Sequence, residues 1–391
     1  MSQLLIDRSP DLKRLRDEGY EIAIAGAYLL VHHVPYVKAT KEIDFGTLVS
    51  ELTLSGDKTT TPNTHVVYFI GEQPCDNYGQ VITSIKNNAA PPKISEDIVP
   101  THLFSNKPKD GYPNYYEKIT SYINLIKAPA LAIDDSVTEK TFKVIKDEEV
   151  QSVFQYMDTN SSRVNVNPVS SKLKGQKIGI IGLGGTGSYI LDFVSKTPVH
   201  EIHLFDADAF LQHNAFRSPG AASLEKLNAQ MKKVDYYTEI YSNIHKGIVP
   251  HSCYITEENV SELADMNYVF ISIDKNEVKK TIMEYLLKNS ISFIDVGMGI
   301  LNVDDSLLGN LRVTAGTAVK NDHLENRIAT VETADNEYNT NIQISELNAL
   351  NAGFAVVKWK KLYGFYHDFG KEYHSIYSLN ETQMASDDFT T

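Results

Sequence analysis

Lys177-Ile-Gly-Ile-Ile-Gly-Leu-Gly-Gly-Thr-Gly-Ser188 decides the fold of this chain. A short apolar run, Lys177 to Leu183, reads as a buried strand, and Ser188 to Lys196 has helical spacing. Between them Gly182, Gly184 and Gly187 satisfy G-x-G-x-x-G, with Gly185 beside them. Glycines at a strand-to-helix turn let the backbone bend sharply and approach a phosphate, while the helix N-terminus attracts anions. Glu201-Ile-His-Leu-Phe205 supplies a second short strand, and Asp206 follows it, nineteen residues past Gly187. That is where a carboxylate meets a ribose in nucleotide-binding β-α-β units. The bland alternatives are a tight turn with no nucleotide, and Asp206 or Asp208 serving only as caps.

Working outward, apolar runs at Tyr254-Ile255, Tyr268–Ile273 and Ile291–Ile294 alternate with helical text at Ser223–His245, Glu257–Met266 and Asn276–Lys288. Such alternation predicts an α/β fold with a doubly wound, mostly parallel Rossmann-like sheet. Leu347, Leu350, Phe354 and Val357 mark the expected buried face of a last helix ending by Gly364. Asp304-Asp305 reads as a turn. Upstream the texture differs: Glu21–Val31 and His65–Ile70 look like strands separated by turn-rich text, and Tyr112–Ile126 like a closing helix. The expected organisation is an α+β domain over 1–150, a linker over 151–175, the parallel-sheet domain over 176–378 and a flexible tail over 379–391.

The 391 residues carry 37 Lys and Arg against 50 Asp and Glu, a formal charge of −13. With 42% hydrophobic residues there is material for a full core, which excludes wholesale disorder. No apolar stretch is long enough to span a membrane, so no membrane partner is expected and the cytoplasm is the default compartment. The acidic balance disfavours nucleic acid as a partner. Two cysteines, Cys75 and Cys253, form no CxxC pair, so no zinc is expected.

The segment Asp206-Ala-Asp-Ala-Phe-Leu-Gln-His-Asn-Ala-Phe-Arg217 adds Asp208, Asn214 and Arg217 immediately after the second strand. A nicotinamide-dependent oxidoreductase has no need of that series. Together with the glycine turn it resembles the ThiF/MoeB and ubiquitin-activating superfamily over roughly Arg163 to Gly364. The resemblance implies ATP-dependent adenylation of the C-terminal glycine of a ubiquitin-like protein, with magnesium and release of pyrophosphate. It assigns Asp206 to the ribose, Gly184 and Gly185 to the phosphates, Asn214 and Arg217 to the triphosphate, and Asp274 to magnesium. A lysine is implied on the next helix, where Lys232 and Lys233 are both candidates and Lys233 is favoured. Arg163 is implied to reach a partner subunit's nucleotide, which makes a homodimer the expected state.

The residues expected to carry chemistry are therefore Arg217, Lys233, Asp274 and Arg163. Each has a structural alternative: a surface ion pair for Arg217, a solvated helix face for the lysines, a helix cap for Asp274. The superfamily's crossover cysteine is absent from residues 299 to 343. Cys253 is expected in a strand and inert. Cys75, in a turn expected to be open, is the candidate thioester position. These gaps favour adenylation alone, with a conjugating enzyme or other acceptor as a separate partner. A nicotinamide-dependent oxidoreductase and a non-catalytic nucleotide- or partner-binding protein stay open as alternatives.

Overall fold

A computed structural model of the chain describes residues 2–95, 97–145, 152–164, 166–330 and 342–390. It divides into two compact units, Met1–Val169 and Ser170–Thr391, each with its own apolar core.

The first unit opens with helices α1 (Ser2–Arg8) and α2 (Pro10–Asp17). Strands β1 (Ile22–Ala25), β2 (Tyr28–Val37) and β3 (Ile43–Glu51) follow, then a hairpin of β4 (Leu54–Ser55) and β5 (Lys58–Thr59). With β6 (Val66–Ile70), β7 (Lys86–Asn87) and β8 (His102–Ser105) they form an antiparallel sheet in the order β1-β2-β3-β6-β8-β7, the β4–β5 hairpin standing apart. Helix α3 (Tyr115–Ile133) starts where the Asn114 side chain accepts the Glu117 N–H, and it buries Tyr115, Ile119, Tyr122, Ile123 and Ile126 against the sheet. It runs seven residues further than the Tyr112–Ile126 spacing suggests, through Pro129. Short helices α4 (Thr159–Arg163) and α5 (Asn167–Ser170) fall in the stretch expected as a linker.

The second unit holds one eight-stranded sheet. Its strands are β9 (Lys177–Ile181), β10 (Glu201–Phe205), β11 (Ile248–His251), β12 (Tyr268–Ile271), β13 (Ser292–Val303), β14 (Ser306–Gly316), β15 (His374–Ser378) and β16 (Gln383–Asp387). The order β11-β10-β9-β12-β13 is parallel throughout, and β14, β15 and β16 continue it antiparallel. Successive strands are thus added outward from β9 on one side and then on the other. The reversal between β9 and β12 opens a crevice at their carboxyl ends, the usual ligand site of such sheets. The Asp304-Asp305 turn is as expected: both residues adopt positive φ, 51° and 59°, and close the β13–β14 hairpin.

Among the described residues, helices α6 (Gly185–Val194), α7 (Gln212–Ala215), α8 (Leu224–Asn228), α9 (Lys233–Tyr241), α10 (Asn276–Lys288), α11 (Leu324–Arg327) and α12 (Ser345–Leu362) complete the unit. Ile190, Leu191 and Val194 of α6 and Ala352, Ala355 and Trp359 of α12 share the core with Ile178, Ile180 and Phe270 of the sheet.

Several expectations need correction. Ser223–His245 is two helices, because Gln230 takes a left-handed φ of 46° between them. Glu257–Met266 reduces to one 3₁₀ turn, Val260–Leu263. Tyr254-Ile255 follows β11 and lies outside it, as does Cys253. Leu350 and Val357 of α12 are 43% and 42% exposed, and the buried face carries Leu347 as expected, together with Asn348, Asn351, Ala352, Ala355, Val356 and Trp359. The tail expected to fray includes β16, paired along its length with β15 and anchored where Arg327 contacts Asp387 and Asp388.

At the opposite edge, β10 and β11 carry His203 and His251 with stacked rings 5.2 Å apart. His203 Nδ1 lies 3.0 Å from His251 Nε2, while the outer nitrogens face Glu201 at 3.0 Å and Glu262 at 3.3 Å.

One charge in the first unit conflicts with its surroundings. Lys118 on α3 is fully buried in the apolar layer, and its Nζ donates to Ser50 Oγ at 2.9 Å. Burial pushes the ammonium down to about 7. The unfolded chain holds that proton up to its ordinary range near 10.5, so between about pH 7 and 10 it binds more protons and stability rises with pH. Lys118→Met should therefore stabilise the protein at pH 7 by about 1–4 kcal/mol and flatten the rise between pH 7 and 9.5. Denaturation midpoints at the two pH values check this, and equal slopes in both proteins would count against it.

Candidate functional site

The crevice at the carboxyl ends of β9 and β12 is built from the glycine turn outward. Gly182 leaves β9 at φ 86°, and a Cβ there would lie 2.3 Å from the Ser272 carbonyl, so the turn packs directly on the end of β12. A Cβ at Gly187 would lie 1.9 Å from the Gly182 carbonyl, which closes the turn on itself. At Gly185 the space is filled by the Asn348 side chain of α12. Gly184, the N-cap of α6, meets nothing within 4 Å among the described residues. Its open side is where first-turn N–H groups, which have no acceptor inside the helix, can reach an anion.

Asp206 is buried at the end of β10. Its Oδ2 accepts the Leu183 N–H at 2.7 Å and Lys233 Nζ at 3.3 Å, and its Oδ1 accepts the Asp208 N–H at 2.8 Å. The carboxylate expected to face a ribose is thus engaged with its own backbone. Asp208, with half of its side chain exposed, is the more available of the two. Lys233, buried as the first residue of α9, reaches Asp208 at 2.7 Å. Lys232 points elsewhere, onto the Ala207 carbonyl. Partial burial opposes ionisation of Asp208, but hydrogen bonds from Lys233 and Tyr254 outweigh it and hold its carboxyl below the usual range.

Asn214 is buried and caps α7 by accepting the Leu211 N–H at 2.9 Å. The chain then turns and presents Arg217, whose Nε is buried with no hydrogen-bond partner among the described residues. A buried guanidinium nitrogen left in that state is costly unless something anionic meets it. Asp274 is exposed just past β12, on the same edge of the sheet. Among the described residues no group of three or more His, Cys, Asp or Glu is arranged to hold a metal. One carboxylate at such an edge does suit magnesium, which completes its shell with phosphate and water.

The sequence reading missed Asn348. Its Oδ1 accepts Thr186 Oγ1 at 2.9 Å and its Nδ2 donates to the Arg217 carbonyl at 3.3 Å, so one side chain ties the glycine turn to the arginine loop. The available signal was two asparagines three apart inside an apolar helix. Arg163 ends α4 in the first unit, and its side chain lies outside the described residues. Cys75 requires correction. It is 1% exposed, bridged to Val37 and Val81, and burial, with Asp76 and Glu72 nearby, pushes its thiol up. A thiol so placed is poorly suited to accept an acyl group.

Residues 132–340, over half of the chain, match the ThiF family, and the chain belongs to that family. Residues 10–159 match a family described as a domain of unknown function, DUF6791. Over 135 residues the chain is 26% identical to the tRNA threonylcarbamoyladenosine dehydratase of Haemophilus influenzae, covering 32% of this chain and 49% of that protein. The chain thus spans about half the length of the curated relative it matches. Among solved structures, Escherichia coli MccB with MccA-N7isoASN aligns with a TM-score of 0.45 and 14% identity, over 56% of this chain and 66% of that one. PaaA aligns with a TM-score of 0.44 and 17% identity, over 57% and 75%.

The glycine geometry separates packing from ligand contact. Gly187→Ala should lower stability by about 1–3 kcal/mol, since its methyl meets backbone. Gly184→Ala should stay within about 1 kcal/mol of wild type. Thermal unfolding of the two variants tests the assignment, and an equal loss in both would show that Gly184 does not face open space.

Proposed function

From membership of the ThiF family and the geometry of the crevice, we propose that the second unit binds Mg-ATP and adenylates a carboxylate, releasing pyrophosphate. The observation that carries this reading is Arg217, whose buried Nε lacks a partner among the described residues, beside a glycine turn open at Gly184. A nicotinamide enzyme has no requirement for that cation. A carboxylate is already a nucleophile at neutral pH, so its attack on the α-phosphate needs no general base. The acyl adenylate forms as the bond to pyrophosphate breaks. What the chain supplies is position and countercharge. The glycine turn seats the phosphates, Asp208 and Asp206 border the ribose, and Arg217 and Lys233 take the charge growing on pyrophosphate. Asp274 would hold magnesium, which would supply countercharge to the phosphate oxygens.

The acceptor we favour is the C-terminal glycine of a ubiquitin-like protein, with the first unit recruiting that protein or a conjugating enzyme. A homodimer would let Arg163 act across subunits. With Cys75 buried, the activated carboxylate passes to a separate acceptor. The relative named for a tRNA-borne substrate favours a second acceptor, a carboxyl group on a modified nucleoside, but a net charge of −13 weighs against binding the phosphate backbone.

Calorimetric titration of Mg-ATP, and separately of NADH, tests the reading. Mg-ATP should bind and NADH should not, and Asp274→Ala should weaken Mg-ATP. With a carboxylate acceptor present, Arg217→Ala should slow pyrophosphate exchange by about 10²–10³. Tight NADH binding indifferent to Asp274→Ala would overturn the proposal in favour of an oxidoreductase.

A further inference from the structure

The crevice has an aromatic wall that the phosphate-facing groups do not account for. Tyr254 lies three residues beyond the end of β11. Its backbone is pinned by Asn259, which donates to the Tyr254 carbonyl at 2.9 Å and accepts the Thr256 N–H at 2.7 Å. Its hydroxyl donates to Asp208 Oδ1, and that bond, with some burial, pushes the phenol up to about 12. Lys275, the residue after Asp274, holds its ammonium 5.3 Å from the ring centre. The residue therefore starts beyond β11 and meets the segments that follow β10 and β12, which lie on either side of β9 and its glycine turn. Even so, 54% of it stays exposed. An exposed ring fixed at its hydroxyl and its backbone has little freedom left to lose when a flat group settles on it.

We propose that Tyr254 is the platform on which the base of the bound nucleotide stacks. The inference rests on the nucleotide reading above and adds the part of the ligand that the glycine turn, Arg217 and Asp274 leave unaddressed. With phosphates at Gly184 and a ribose beside Asp208, the base continues along the carboxyl edge toward the end of β11. Magnitudes decide what occupies the ring. Stacking of a base on an aromatic side chain is worth roughly 5- to 150-fold in affinity. An exposed contact between an ammonium and a ring is worth roughly two- to fivefold. A base therefore displaces Lys275 from the ring face. Because every base has a π-face, Tyr254 distinguishes ligands with a base from ligands without one.

The test compares Mg-ATP with magnesium tripolyphosphate by calorimetry on wild type, Tyr254→Ala and Tyr254→Phe. Tyr254→Ala should weaken ATP by ~10-fold or more and leave tripolyphosphate within about twofold, while Tyr254→Phe keeps most of the ATP affinity. If wild type binds ATP and Tyr254→Ala binds it equally well, the platform is wrong and the nucleotide reading stands. Equal weakening of both ligands would make Tyr254 a prop for Asp208 and overturn the platform. Wild type that binds neither ligand would remove the nucleotide reading itself.

Discussion

One buried carboxylate holds the working end of the second unit together. Asp206 accepts the N–H of Leu183 from the loop after β9, the N–H of Asp208 from the loop after β10, and Lys233 from the start of α9. An ionised carboxylate removed from water is stable only when its oxygens are filled this way. The three donors come from three separate segments, so each segment is positioned by satisfying the same charge. The spacing that makes Asp206 look like a ribose ligand is also the spacing that lets it seat the turn. Asp208 is then left half-exposed, held by the buried Lys233 and by Tyr254.

A second support comes from the opposite side. Helix α12 brings Asn348 under the glycine turn and Asn351 under β13, where its Nδ2 donates to the Gly297 carbonyl at 3.0 Å. Apolar spacing alone put the inward face of α12 on Leu347, Leu350, Phe354 and Val357. Leu347 and, in part, Phe354 do face inward, but Leu350 and Val357 do not, and Asn348, an amide that donates and accepts inside the protein, takes a share of that face. A period read from hydrophobic residues cannot see partners contributed by Thr186 or by the backbone of Arg217.

The same distinction explains what else was legible. Strands β9, β10, β12 and the start of β13, the glycine turn and the order of the chemistry-bearing residues follow from local pattern, since short apolar runs have few other uses, whereas β11 lies at Ile248–His251 and not at Tyr254-Ile255. The Ser223–His245 break depends on one left-handed residue, Gln230, of a type that gives no such signal. Strand β16 is mostly polar because it is an edge, and only its pairing with β15 makes it a strand. Cys75 sits in turn-like text yet is sealed by bridges to Val37 and Val81, residues distant in pattern. In the candidate site the choice of Lys233 over Lys232 was half legible. The depth of Asp206 was not, since burial is a property of neighbours.

The histidine pair at the β11 edge obeys a count of hydrogens. Two hydrogen bonds run in series, from Glu201 to His203 and from His203 to His251, and Glu262 stands 3.3 Å beyond the last nitrogen. Each bond needs one hydrogen between its two atoms, and the Glu201 carboxylate brings none when ionised. Two neutral imidazoles carry two, one for each bond. Two hydrogens on each ring would set two donors against each other at the middle contact. Burial presses His251 toward its neutral form. The outermost parallel strand is thus fastened to its neighbour by two rings whose hydrogens must point the same way along the series.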